Sequence, residues 1–169
     1  MTGSGDEKQN LAFENVWGKD VGGLRDTVAA IWRDNGGPTG DGASERLSQL
    51  VFVLKNVDGE PVGMSTAFKA HIKQLRNYFY VIRLMLVPGY RMPGLTSRLL
   101  VSTRDFLESI HEQESANRAI GIITLVENQR IKEKRNEAIW PASGMVYIGN
   151  SGEGHPIRVY YFRGARIQP

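Results

Sequence analysis

The sequence predicts a single α/β (α+β) domain, with a mixed, mostly antiparallel sheet, a central parallel strand-helix-strand unit and helices on both faces. Three observations carry this expectation. Tyr78 to Val87 (YFYVIRLMLV) is almost continuously apolar, with Arg83 its one charge, as in a central strand covered on both faces. After Pro93-Gly94, Leu95, Leu99, Thr103, Phe106 and Ile110 recur at helical spacing, and the apolar run AIGIITLV (Ala119 to Val126) follows. Strand, helix and strand in that order imply parallel strands joined by a right-handed crossover. Ahead of this unit, LVFVLKNV (Leu50 to Val57) and PVGMSTAF (Pro61 to Phe68) flank Asp58-Gly59, a dipeptide suited to the positive φ of a tight hairpin.

The remaining elements fall around that frame. Residues 1–10 are polar and glycine-bearing without an apolar face and read as a flexible tail, leaving 11–169 as the domain. Leu24, Val28, Ile31 and Trp32 mark a helix, which GGPTGDG (Gly36 to Gly42) ends as a mobile loop. Asn128 to Trp140 suits another helix, closed by Pro141 and Gly144. Met145 to Gly149 and Ile157 to Phe162 read as a last pair of strands joined by NSGEGHP. The YYF of Tyr160 to Phe162 either offers an edge or apolar patch to a second copy or is buried within the monomer, so a homodimer is one expectation.

Composition narrows the function classes. The 169 residues are 41% hydrophobic and 23% charged, ordinary globular proportions for one core. No apolar run reaches the roughly 18 residues of a membrane span, and MTGSGDEKQN lacks the apolar core of a secretory signal, so a soluble cytoplasmic protein with no membrane partner is expected. With no cysteine, disulfides and thiol nucleophiles are excluded, and three separated histidines give no zinc-ligand spacing, so no metal is expected. A net charge of +3 suits an anionic ligand without demanding one. Arg130, Lys132, Lys134, Arg135, Arg158, Arg163 and Arg166 allow a nucleic-acid reading, but Glu133 and Glu137 interrupt the first cluster, no recognition motif accompanies it, and two solvated faces explain the charges as well.

In an open α/β sheet, ligands bind beyond the carboxyl ends of parallel strands, which here is the segment VPGYRMPGLTSR. A helix starting near Pro93 or Gly94 directs unpaired N–H groups and the positive end of its dipole at this loop, and Arg91 and Arg98 add cationic donors. Phosphate binding and a simple turn with solvated arginines both fit that pattern.

The stretch LMLVPGYRMPGLTSRLL (Leu84 to Leu100) resembles the strand-loop-helix motif of the GNAT acyltransferase superfamily, V-x-P-x-Y-R followed by R/Q-x-x-G-x-G/A. The order of elements from about Trp17 to Arg166 resembles that family as well. The resemblance implies an acyl-CoA-dependent N-acyltransferase using acetyl-CoA or another acyl-CoA as cosubstrate, with a small-molecule or protein amine as acceptor. By the same resemblance, Arg91, Met92, Gly94, Leu95 and Thr96 would hold the coenzyme A pyrophosphate, and Met85 and Leu86 the pantetheine and thioester through their backbone. Asn128 matches an asparagine that often contacts coenzyme A in the family, and equally suits a helix cap. Thr96 stands where the family usually has Gly or Ala.

The family's tyrosine acid has no counterpart, since Trp140 falls at its place and an indole cannot protonate a thiolate. Tyr147 is the substitute candidate for the acid, with Tyr160 and Ser143 as alternatives. Glu127, at the carboxyl end of the second parallel strand, is the candidate base, ahead of His71 and His155. The departures at Trp140 and Thr96 leave open a second reading, a non-catalytic GNAT-like domain that binds coenzyme A or a protein.

Overall fold

A computed structural model describes residues 10–111 and 117–168 of the chain. The expected tail therefore lies outside the described residues, apart from its last residue. Among the described residues, seven strands form one mixed sheet in the order β1-β2-β3-β4-β5-β7-β6, and four α-helices accompany them. The strands are β1 (Ala12–Asn15), β2 (Leu50–Lys55), β3 (Pro61–Ile72), β4 (Asn77–Leu86), β5 (Ala119–Leu125), β6 (Val146–Asn150) and β7 (Pro156–Tyr161). The helices are α1 (Leu24–Asp34), α2 (Gly40–Leu47), α3 (Leu95–His111) and α4 (Gln129–Lys134). The β4-β5 pair is parallel and joined through α3, as expected, while β1-β2, β2-β3, β5-β7 and β6-β7 are antiparallel. No helix among the described residues is long and apolar enough to cross a membrane.

Contacts divide the chain into two compact units: the described part of Met1–Ala67 with Arg83–Leu99, and Phe68–Ile82 with Leu100–Pro169. The chain passes from one to the other within β3, β4 and α3 rather than through a linker.

In the first unit, alternation along β2 sends consecutive side chains to opposite faces. Val53 packs with Val28 and Trp32 of α1, Ala43 of α2 and Met64, whereas its neighbour Leu54 packs with Val62, Leu86 and the α3 residues Leu95 and Leu99. The expected helices on both faces are thus present here. The Gly36–Gly42 stretch, expected as a loop, is helical from Gly40 onward. Burial of Ala43 and the packing of Leu47 against the α1 cluster outweigh the low helix propensity of its glycines.

In the second unit, Phe79, Ile120, Ile123 and Val159 form a buried cluster across β4, β5 and β7. Along α3, Leu100, Thr103, Leu107 and His111 are buried at three- and four-residue spacing. The β7 strand lies between β5 and β6, so it is not the edge strand expected of the YYF segment. The helix expected over Asn128 to Trp140 stops at Lys134. Beyond it, residues 138–140 pair with β6, with Tyr147 N donating to Ala138 O (2.8 Å) and Trp140 N to Met145 O (2.9 Å). Sheet hydrogen bonds replace helical ones because β6 otherwise presents unpaired backbone groups at the sheet edge.

The half-buried Tyr160 hydroxyl donates to Glu108 (3.3 Å) beneath the Arg104 guanidinium, 4.9 Å from its ring centre. Burial, and then the Glu108 carboxylate, raise its phenol above the ordinary value of 10. The folded state therefore holds the proton longer than the unfolded one. This stabilisation is complete below the unfolded pKa and is lost as pH rises through the folded value. Urea midpoints should fall less between about pH 9 and about pH 11 in Tyr160→Phe than in the wild type. Equal slopes would remove Tyr160 from the alkaline transition.

Candidate functional site

In the first unit, β4 ends at Leu86 and the chain turns through Val87–Gly94 into α3. Val87 N donates to Val62 O (2.9 Å), Tyr90 N to Val87 O (3.0 Å), Met92 N to Tyr90 O (2.9 Å) and Leu95 N to Met92 O (3.3 Å), so the loop is a series of tight turns. Gly94 has φ +81°, a left-handed conformation that a side chain disfavours. The amides of Gly94, Thr96 and Ser97 have no backbone acceptor among the described residues, as the first turn of a helix requires. With the dipole of the 17-residue α3 behind them, they make an electropositive terminus suited to phosphate.

The predicted loop residues take different parts in this terminus. Leu95 is buried and half-buried Met92 packs against the same cluster, so each has only its backbone to offer a ligand. Thr96 is half-buried in the first helical turn, while Arg91 and Gly94 are exposed. Arg91 Nε donates to Leu86 O (3.1 Å), folding its side chain back over the end of β4. Arg98 places its guanidinium 4.9 Å from the centre of the Phe13 ring. Met85 and Leu86 anchor their side chains in two different core clusters, which fixes the backbone at the strand end.

The other candidates belong to the second unit. Glu127 is exposed just after β5. Asn128 is the N-cap of α4, its Oδ1 accepting from Ile131 N (3.2 Å). That cap alone predicts a loss of about 0.5 to 1 kcal/mol in Asn128→Ala, read from chemical denaturation.

Tyr147 is exposed on β6, and its hydroxyl donates to Asn150 Oδ1 (3.1 Å). Trp140 is held in place, its Nε1 donating to Arg135 O (2.8 Å) and its ring covered at 4.1 Å by the Arg158 guanidinium. The alternatives also have structural partners. Ser143 is buried and its Oγ accepts from Met145 N (3.4 Å), His71 packs edge-on against Tyr78, and His155 lies 2.8 Å from Lys132 Nζ.

One residue in the sequence-level basic cluster is not on a solvated face. Arg158 is 3% exposed, its guanidinium donating to the carbonyls of Arg135 (3.2 Å), Ala138 (3.4 Å) and Met145 (3.5 Å). Its place between Ile157 and Val159 in an alternating strand was the only sequence signal, and an arginine there reads as outward-facing by default.

No family model matches the sequence, and no curated protein matches it. Solved structures do match in fold. A GNAT-superfamily phosphinothricin acetyltransferase from Sinorhizobium meliloti, in complex with AcCoA, aligns over 90% of this chain and 88% of its own, with TM-score 0.65 and 12% identity. The ribosomal-protein-S5-alanine acetyltransferase of Vibrio fischeri aligns over 94% and 96%, with TM-score 0.63 and 13% identity. A GNAT-family acetyltransferase from Streptococcus pneumoniae aligns over 90% and 99%, with TM-score 0.59 and 12% identity. The chain therefore has the fold of these acetyltransferases.

Proposed function

We propose that this chain, which has the GNAT fold, is an acyl-CoA-dependent N-acyltransferase, with acetyl-CoA as the default cosubstrate and an amine on a small molecule or a protein as acceptor. One observation carries the reading: the Val87–Gly94 loop delivers the amides of Gly94, Thr96 and Ser97 at the start of a long helix, in a fold shared with a structure holding AcCoA. Those amides would bind the pyrophosphate, and the backbone of Met85 and Leu86 the pantetheine arm.

The amine nitrogen attacks the thioester carbonyl, the C–N bond forms, and the tetrahedral intermediate collapses with cleavage of C–S. One proton leaves the amine and one reaches the departing thiolate. Glu127 is the proposed base, supported by its exposed carboxylate after β5, and Tyr147 the proposed acid, supported by its exposed hydroxyl. Asn128 is assigned to the cofactor as well as to its cap.

A second reading, a coenzyme A-binding protein without catalysis, is favoured by the fixed indole of Trp140 where the family places a tyrosine acid. Calorimetric titration with acetyl-CoA and free coenzyme A, followed by an amine screen for released thiol, separates the readings. Binding with acyl transfer supports the enzyme, binding without transfer to any amine supports the second reading, and no binding overturns both.

A further inference from the structure

A cavity of about 220 Å³ opens within the second unit, beside the β6-β7 hairpin and α4. Lys132, Arg135 and Arg158 contribute three cations to its wall, and Asn136, Asn150 and Tyr147 contribute neutral polar groups. No carboxylate lines it. The charged side chains that line it are therefore all cationic, with Glu137 paired to Arg135 outside the lining.

The arrangement of Arg158 points to a ligand rather than to an accidental cluster. Its side chain is buried, three backbone carbonyls hold the terminal nitrogens, and Trp140 covers its face. Its Nε is buried without any hydrogen-bond partner. No acid forms an ion pair with this guanidinium among the described residues; Glu137 is instead 3.5 Å from Arg135 Nε. A buried cation held by carbonyl dipoles, the Trp140 face and the Glu137 carboxylate beyond ion-pair distance, with one donor unmet, is costly unless an anion completes it. Burial, the largest influence, lowers the Arg158 pKa, in keeping with that cost.

The remaining polar groups favour the same ligand class. Asn150 Oδ1 accepts from Tyr147, and the Asn150 amide carries two N–H donors besides. Lys132 commits one N–H to His155 and carries two more. At about 220 Å³ the cavity has room for the head group of a metabolite.

We propose that this cavity is a binding site for a small oxyanion, a carboxylate or a phosphate group, gripped by Arg135 and Lys132 at its wall and by Arg158 at its base. The site lies wholly in the second unit and does not depend on the Val87–Gly94 loop, although Tyr147, the proposed acid, belongs to its lining.

The test is an NMR titration of the ¹⁵N-labelled full chain with sodium succinate and, separately, with inorganic phosphate, at constant ionic strength. The Trp140 indole N–H, which donates to Arg135 O, is the reporter and is assigned with Trp140→Phe. A saturable shift with a dissociation constant below about 1 mM is expected for at least one anion. Which anion gives it identifies the source. Affinity should fall at least about tenfold in the Lys132→Met/Arg135→Gln double variant, whose side chains are not core residues, and stay unchanged in Gly94→Trp. No saturable shift with either anion up to about 10 mM overturns the proposal. So does binding that survives the double variant, or binding that is lost in Gly94→Trp.

Discussion

Gly94→Trp should weaken acetyl-CoA binding at least about a hundredfold, a loss of roughly 2.7 kcal/mol, while the protein stays folded. The local geometry explains both halves of that expectation. A Cβ at Gly94 would meet no heavy atom within 4 Å, so a side chain leaves the backbone there into open space. It stands at the mouth of the helix whose first amides would receive the pyrophosphate. The φ of +81° adds a backbone cost of about 1 to 2 kcal/mol for any side chain. Gly94→Ala carries the same strain without the bulk, and should retain most of the affinity. Calorimetry on both variants, with circular dichroism to verify folding, makes the comparison. Undiminished binding by folded Gly94→Trp would move the cofactor away from this loop and remove the observation on which the proposed function rests.

Gly121→Ala is expected to cost about 3 kcal/mol or more, the upper end of overpacking effects. Gly121 lies in β5 opposite Tyr161 of β7, and a Cβ there would fall on the Tyr160 carbonyl oxygen, with Tyr160 C and Tyr161 Cα both at 3.1 Å. Backbone cannot rotate away as a side-chain tip can. The ladder from Gly121↔Tyr161 to Leu125↔Ile157 would have to shift, taking Ile123 and Val159 of the buried cluster with it. Gly152→Ala is the control, since a Cβ at that exposed position meets nothing and φ is unexceptional. Its unfolding midpoint should stay within about 0.5 kcal/mol of the wild type. A Gly121→Ala protein of unchanged stability would refute so close a β5-β7 approach.

The strands of this fold were legible where composition decides them. YFYVIRLMLV and AIGIITLV have too little polar surface to lie anywhere but inside a sheet, and Asp58-Gly59 specifies a turn through its own backbone preferences. The phosphate-type loop was legible for a related reason. Pro93 and Gly94 impose local conformations, and the start of a helix leaves amides unpaired whatever packs around it.

Elements that depend on a partner were not legible. The four residues of β1 are too few to display a period and exist as a strand because β2 supplies their hydrogen bonds. Residues Gly40 to Leu47 become helical because Ala43 and Leu47 find the face of α1. The segment from Arg135 to Trp140 leaves the helix because β6, the Trp140 indole and Arg158 take its backbone groups. The same distinction separates the two candidate anion sites. The sequence by itself determined the loop at the end of β4, because its donors belong to the backbone of one continuous segment. Only the tertiary structure decided the cavity of Lys132, Arg135 and Arg158, because burial of a cation is a property of what surrounds it and not of the residue.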